Sequence, residues 1–205
     1  KRQSDRFGKD MGEVDMTQGA GTGKDLTAAA AAVRLVVMDV DGTLTDGGIY
    51  IGNDGECCKR FHCRDGLAVS ASVRHGLPVI LLTGRDSRII RLRAAELGLP
   101  AEAVLTGVAD KGAALRQLLA RYGVTAGQVA CLGDDLNDLP ILTQAGLSAC
   151  PADAAADVRV RVHVVLPHAG GQGAARDLLE LIWKAKGQWE SLVRDYIGMG
   201  RGDRQ

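Results

Sequence analysis

The sequence predicts an α/β protein: a doubly wound parallel sheet with a β-hairpin inserted after the first strand. Three observations carry this. Short, almost continuously apolar runs at residues 33–38, 78–82 and 128–132 alternate with helical patterns of about ten residues, as buried parallel strands joined by crossover helices do. Four helical patterns end in a glycine and then an apolar residue, at His75-Gly76-Leu77, Leu97-Gly98-Leu99, Tyr122-Gly123-Val124 and Ala145-Gly146-Leu147, where glycine can take the left-handed turn that stops a helix. Each apolar run also gives way to polar residues, at 39–45, 83–87 and 133–138. A parallel sheet gathers all three clusters at one crevice beyond its carboxyl ends.

Composition narrows the function. The chain has 205 residues, 46% of them hydrophobic, and a formal net charge of +0, the balance of an ordinary globular domain. Aromatic residues make up only 3%, and no basic tract is interleaved with them, so a nucleic-acid partner is not expected. No apolar run approaches the roughly 18 residues that span a bilayer, and no leader opens the chain, so the expectation is a cytoplasmic protein with no membrane partner. Cys57, Cys58, Cys63, Cys131 and Cys150 are odd in number and lack paired metal-type spacing, which points to reduced thiols. Cys131 and Cys150 sit in apolar runs and read as core residues.

Taken in order, residues 1–32 are polar, Gly-rich and then Ala-rich, and read as a disordered lead. Gly19-Ala20-Gly21-Thr22-Gly23-Lys24-Asp25 superficially resembles a phosphate-binding loop, but no strand precedes it and Asp25 stands where Ser or Thr is needed. One domain is expected over 33–188. Gly52-Asn53-Asp54-Gly55 between two short strand-like runs marks the hairpin, at about 47–62. A helix follows from Leu67 to a stop at Gly76, another occupies about 87–97, and Lys111 opens the helix that ends at Gly123. Pro140 lies near the start of the next helix, where its missing N–H costs least. A further strand over 159–166, a last helix over 173–186 and a flexible tail over 189–205 complete the reading.

The chemistry concentrates in Val36-Val37-Met38-Asp39-Val40-Asp41-Gly42-Thr43. Asp39 and Asp41, two residues apart in extended chain, share a face roughly 6 to 7 Å apart. Two carboxylates so placed repel at neutral pH unless a cation or a proton lies between them. With Asp134 and Asp135 they form an acidic cluster that would destabilise the fold unless it bound a metal.

Four blocks, Asp39-Val40-Asp41-Gly42-Thr43, Thr83-Gly84-Arg85, Lys111 and Gly133-Asp134-Asp135-Leu136-Asn137-Asp138, stand in the order of the haloacid dehalogenase-type phosphohydrolases, which the chain resembles from about residue 33 to 189. The resemblance implies a Rossmann-like core with no large cap domain, the hairpin standing in its place. The segments Thr45-Asp46-Gly47-Gly48-Ile49-Tyr50, Phe61-His62-Cys63-Arg64-Asp65-Gly66 and Gly170-Gly171-Gln172-Gly173-Ala174 resemble those of a small subgroup, which implies a phosphorylated keto sugar acid as substrate and a homotetramer assembled through the hairpin.

The implied roles agree with phosphate-ester chemistry. Asp39 attacks phosphorus, Asp41 serves as general acid and base, and Thr83 and Lys111 hold the phosphoryl group. Mg²⁺ is the expected cofactor, on Asp39, the backbone carbonyl of Asp41, and Asp134. Asp135 and Asp138 are expected behind those ligands, orienting them. Arg64, Arg85 and Arg93 suit a substrate with phosphate at one end and carboxylate at the other. His62, Cys63, Asp65, Gly66 and Gly84 join Asp41 and Lys111 as substrate-binding candidates. A nine-carbon sialic-acid-type phosphate as substrate, and a non-catalytic phosphoryl-accepting module, are the alternatives.

Overall fold

The computed structural model describes residues 23–198. The chain opens with α1 (Gly23–Ala32) and passes into β1 (Leu35–Met38), all four residues buried. The hairpin follows as β2 (Tyr50–Gly52) and β3 (Gly55–Cys58), and a bridge between Thr45 and Phe61 closes its base. Next come α2 (Cys63–Arg74), β4 (Val79–Leu82), α3 (Arg88–Glu96), β5 (Val104–Leu105), α4 (Lys111–Tyr122), β6 (Val129–Leu132) and the short α5 (Leu139–Leu142). The chain ends through β7 (Leu147–Cys150), α6 (Ala156–Arg159), β8 (Val164–Val165), α7 (Ala174–Ala185) and α8 (Trp189–Gly198).

The large sheet has the order β5-β4-β1-β6-β7-β8 and every pairing in it is parallel. β1 lies between β4 and β6, so the chain winds outward from it in both directions and the crevice opens beside its carboxyl end. Leu35, Ile80, Leu132 and Leu147 are fully buried, each contributing about 1.5–3 kcal/mol of hydrophobic stabilisation. Cys131 and Cys150 are buried core residues, as the apolar runs imply, and Cys57, Cys58 and Cys63 are exposed free thiols. Among the described residues no helix is long and apolar enough to cross a membrane.

Three expectations are corrected. The sequence predicts a disordered lead to residue 32, yet Gly23–Ala32 is helical. Alanine is the strongest helix former, and Leu26 and Ala30, one turn apart, are buried on a helix packed against α7. The phosphate-loop look-alike begins outside the described residues. The tail over 189–205 begins as α8, with Leu192 buried and the Arg176 guanidinium 4.8 Å from the Trp189 ring centroid. Residues 199–205 lie outside the described residues. The strand expected over 159–166 shrinks to Val164–Val165, because Arg159 is the last residue of α6, its N–H bonded to the Ala155 carbonyl at 3.0 Å. Val160 is 76% exposed, whereas Val162, Val164 and Leu166 are buried, so the inward alternation begins only after α6.

Candidate active site

Asp39 leaves the end of β1 only 4% exposed, and its N–H donates to the Leu132 carbonyl at 2.9 Å, so the loop that follows starts from a fixed point between β1 and β6. Lys111 is the first residue of α4, placed there by the Asp110 cap, whose carboxylate accepts the Ala113 N–H at 2.8 Å. Its ammonium donates to Asp39 Oδ1 at 2.6 Å and to Asp138 Oδ1 at 2.5 Å. Asp138, fully buried, accepts the Asp134 and Asp135 N–H groups on its other oxygen, at 2.9 and 3.3 Å. Thr43 donates its hydroxyl to Asp134 Oδ1 at 2.9 Å. Gly42, at φ +87°, lets the two loops meet: a Cβ there would stand 2.1 Å from Asp134 Oδ2.

Charge is unbalanced at this point. Carboxylate oxygens of Asp39, Asp134 and Asp138 lie within 4.8 Å of one another. Burial, reinforced by Asp138 and opposed by Lys111, pushes the Asp39 carboxyl up to about 7. Burial, with Asp138 and Asp135 adding to it against the Thr43 hydrogen bond, raises Asp134 to about 6. Burial alone would pull the Lys111 ammonium down, but Asp39 and Asp138 outweigh it and hold it above its ordinary value. One buried ammonium among three ionised carboxylates leaves two negative charges unmatched, and an all-oxygen donor set suits a hard divalent ion.

The hairpin completes the second wall. Lys59, with its side chain 2% exposed, is ion-paired with Asp41 and with Glu56, the latter at 2.8 Å. Glu56 also accepts the hydroxyl of Ser87, the N-cap of α3. A chain of contacts thus runs from the loop after β4 through the hairpin to Asp41, whose Oδ2 is buried without a hydrogen-bond partner among the described residues. Neither Lys59 nor Glu56 stands out in the sequence, since a lysine in a polar hairpin is ordinarily solvated. The only available signal was its place four residues after the Gly55 turn.

A family model for haloacid dehalogenase-like hydrolase matches residues 101–178. Over 166 residues the chain is 39% identical to the 3-deoxy-D-manno-octulosonate 8-phosphate phosphatase of Yersinia pestis, an alignment covering 81% of this chain and 88% of that protein. This chain belongs to the haloacid dehalogenase-like hydrolases. The corresponding enzyme of Haemophilus influenzae is 40% identical, over 76% of this chain and 86% of its own length. A crystal structure of 3-deoxy-D-manno-octulosonate 8-phosphate phosphatase from Moraxella catarrhalis, in complex with magnesium, phosphate and the sugar acid, superposes with a TM-score of 0.81 at 31% identity, covering 85% of this chain and 99% of that one.

In this hydrolase the residues singled out from sequence fall into distinct sets. Asp39, Asp134, Asp138 and Lys111 converge, and Thr83, 2% exposed, follows β4 at the same edge of the sheet, its hydroxyl accepting the Arg85 N–H at 3.2 Å. Gly84 and Arg85 are exposed beside it, and the Arg85 charge acts on Glu56. Arg93 lies apart, 17% exposed, paired with Glu96 at 3.1 Å and 5.9 Å from the Phe61 ring centroid. It lines a small hollow with His62, Asp65 and Gly66. His62 Nδ1 stands 3.9 Å from Asp65, beyond hydrogen-bond reach. Cys63 and Arg64 are exposed at the start of α2.

Two of these residues also hold the ends of turns and helices. Asp135 is exposed and accepts the Leu136 N–H at 2.7 Å, capping the short turn ahead of α5, while its charge bears on Asp134. Asp65 is buried and accepts the N–H groups of Gly173 and Arg176, at 3.1 and 2.8 Å, so it caps α7 from across the fold, where Gly173 has no side chain to do so. The glycine loop before α7 packs directly on the Asp39 loop: Gly171 N–H donates to the Thr43 carbonyl at 3.0 Å, and a Cβ on Gly170 would meet the Gly42 carbonyl oxygen at 1.8 Å.

Proposed function

We propose that this hydrolase is a Mg²⁺-dependent phosphatase of 3-deoxy-D-manno-octulosonate 8-phosphate, releasing the free sugar acid and phosphate for lipopolysaccharide precursor synthesis. The observation that carries the chemistry is Lys111 bridging Asp39 and Asp138 beside Asp134. The relatives named above support the substrate.

Lys111 occupies Asp39 Oδ1, which leaves Oδ2 to attack phosphorus in line with the leaving sugar oxygen. As the phosphorus–oxygen bond breaks, Asp41 gives its proton to the departing oxygen. The aspartyl phosphate on Asp39 is then attacked by a water whose proton Asp41 takes, restoring both groups. Lys59 occupies Asp41 Oδ1, so Oδ2 is the proton-carrying atom. Thr83 and Lys111 donate to the phosphoryl oxygens. Asp39, Asp134 and the Asp41 carbonyl would hold Mg²⁺, which neutralises phosphate charge. Asp138 orients Lys111 and, through two backbone N–H groups, the Asp134 loop. Arg85 and Arg93 are assigned to the substrate's carboxylate end.

Assembly as a homotetramer through the hairpin is part of the same reading. Ile49 is 52% and Ile51 73% exposed, an apolar strand edge that a second copy would cover. Light scattering should give a tetramer for the wild type and a smaller species for Ile51→Lys, and a monomeric wild type contradicts it. The substrate is tested with eight-carbon and nine-carbon sugar-acid phosphates at equal concentration under Mg²⁺. Preferential phosphate release from the eight-carbon compound is expected. Equal rates, or preference for the nine-carbon one, overturn the assignment.

A further inference from the structure

Away from the acidic cluster and the hairpin, α8 crosses α2 and α7 without closing on them. Between the three helices lies a hollow of about 260 Å³. Its floor is Ala68 and Ala71 of α2 with Leu179 and Trp183 of α7, all buried. The two alanines contribute only a methyl group each, so the floor stays low beneath α8. Leu67, Val193 and Tyr196 are half-buried and form its mouth.

The ends of α8 keep it from collapsing into that space. Trp189, at its start, has the Arg176 guanidinium 4.8 Å and the Lys184 ammonium 6.0 Å from its ring centroid. About 10 Å further along the helix, Asp195 lies 3.0 Å from His75 Nε2, and the Tyr196 hydroxyl accepts from Arg74, whose guanidinium stands 5.4 Å from the Tyr196 ring centroid. A helix pinned at both ends over an apolar gap leaves the lining atoms short of dispersion partners, which a guest would restore. The walls select that guest. The Trp183 N–H is spent on Ser72 Oγ at 2.9 Å. Arg176 is the only charged side chain among the described residues of the wall, and Glu180 compensates it at 2.9 Å. What remains is apolar and aromatic surface. An apolar cavity of about 150 Å³ takes benzene, so this hollow has room for a second fused ring.

We propose that the hollow is a binding site for a small, uncharged, apolar molecule of bicyclic size, clasped by α8 against α2 and α7. The guest packs on the methyl groups of Ala68 and Ala71 and against the faces of Trp183 and Trp189. No residue of the wall belongs to the hydrolase site or to the hairpin, so the proposal stands apart from the phosphatase reading and from assembly through the hairpin.

Trp183 and Trp189 are the two tryptophans of the chain, so tryptophan fluorescence of the full protein reports on the hollow alone. The test titrates the protein with indane, a neutral bicyclic hydrocarbon, and reads that fluorescence together with Tm. A saturable change half-complete at about 0.1 mM is expected for a guest of nine carbon atoms, with a rise in Tm at saturation. Indane-2-carboxylate, the same frame with a charge, should bind at least about tenfold more weakly, because burying an unpaired carboxylate is costly. Ala71→Leu fills the floor and should weaken indane at least about tenfold. Val193→Lys sets an ammonium at the mouth and leaves the floor intact, so it should do the same and serves if the first variant does not fold. No saturable change on the wild type up to the solubility of indane overturns the site. Binding that survives in the folded variants places the guest elsewhere and overturns it too. Equal affinity for the carboxylate overturns the uncharged class.

Discussion

Lys59 of the inserted hairpin is ion-paired with Asp41, the second carboxylate of the loop that leaves the central strand. Burial would pull its ammonium down, but Asp41 and Glu56 outweigh that and hold it above its ordinary value. The hairpin thus supplies a charged wall to the crevice, in addition to an exposed apolar edge. Lys59→Met should lower kcat by about 10- to 100-fold while leaving the thermal transition close to wild type, and Lys59→Arg should recover part of the loss. Steady-state phosphate release at saturating Mg²⁺ measures this, and an unchanged kcat would remove Lys59 from the account.

Metal affinity should rise with pH. In the metal-free protein Asp39 is raised to about 7 and Asp134 to about 6. A carboxyl raised above its unfolded value contributes stability that is fully present below that unfolded value and is lost as pH rises through the folded one. The metal-free protein should therefore lose stability between about pH 4 and 7 on account of these groups. Mg²⁺ offsets that loss and expels the protons. The Mg²⁺-induced rise in Tm, measured from pH 5 to 8, should grow with pH and level off above about 7. A rise independent of pH contradicts the proposed ligand set.

Asp65 joins α2 to α7 by accepting two N–H groups at the helix start. Asp65→Ala should destabilise the fold by about 1–2 kcal/mol, the size of a lost helix cap, and Asp65→Asn by less, since one acceptor oxygen remains. Urea unfolding reads both. If Asp65→Ala lost substrate binding at unchanged stability, the residue would belong to the substrate instead.

Gly170 has no room for a side chain against the Gly42 carbonyl. Gly170→Ala should cost about 1–3 kcal/mol through overpacking and lower kcat as well, because the segment that moves lies under the Asp39 loop. Combined unfolding and kinetic measurements test it, and a stable, fully active variant would contradict the close approach.

What could be read from the chain follows physical lines. Asp39, Lys111, Asp134 and Asp138 were legible because each stands at a strand end or helix start where a parallel sheet must gather polar groups. The buried strands were legible because a sheet covered on both faces needs uninterrupted apolar runs. Lys59 was hidden: its burial comes from contacts with Asp41 and Glu56 that no local pattern announces. The capping role of Asp65 spans 108 residues to Gly173, and a local reading sees only an acid in a first helical turn. α1 was missed because a run of alanines carries little amphipathic contrast, although small residues suit close packing against α7.

The central claim, hydrolysis through Asp39 with Asp41 moving the proton, is tested most directly by phosphate release from 3-deoxy-D-manno-octulosonate 8-phosphate with Mg²⁺. Wild type should turn over, and Asp39→Asn and Asp41→Asn should each lose at least about 10²-fold in kcat while folding normally. Turnover by Asp39→Asn at the wild-type rate would contradict the account.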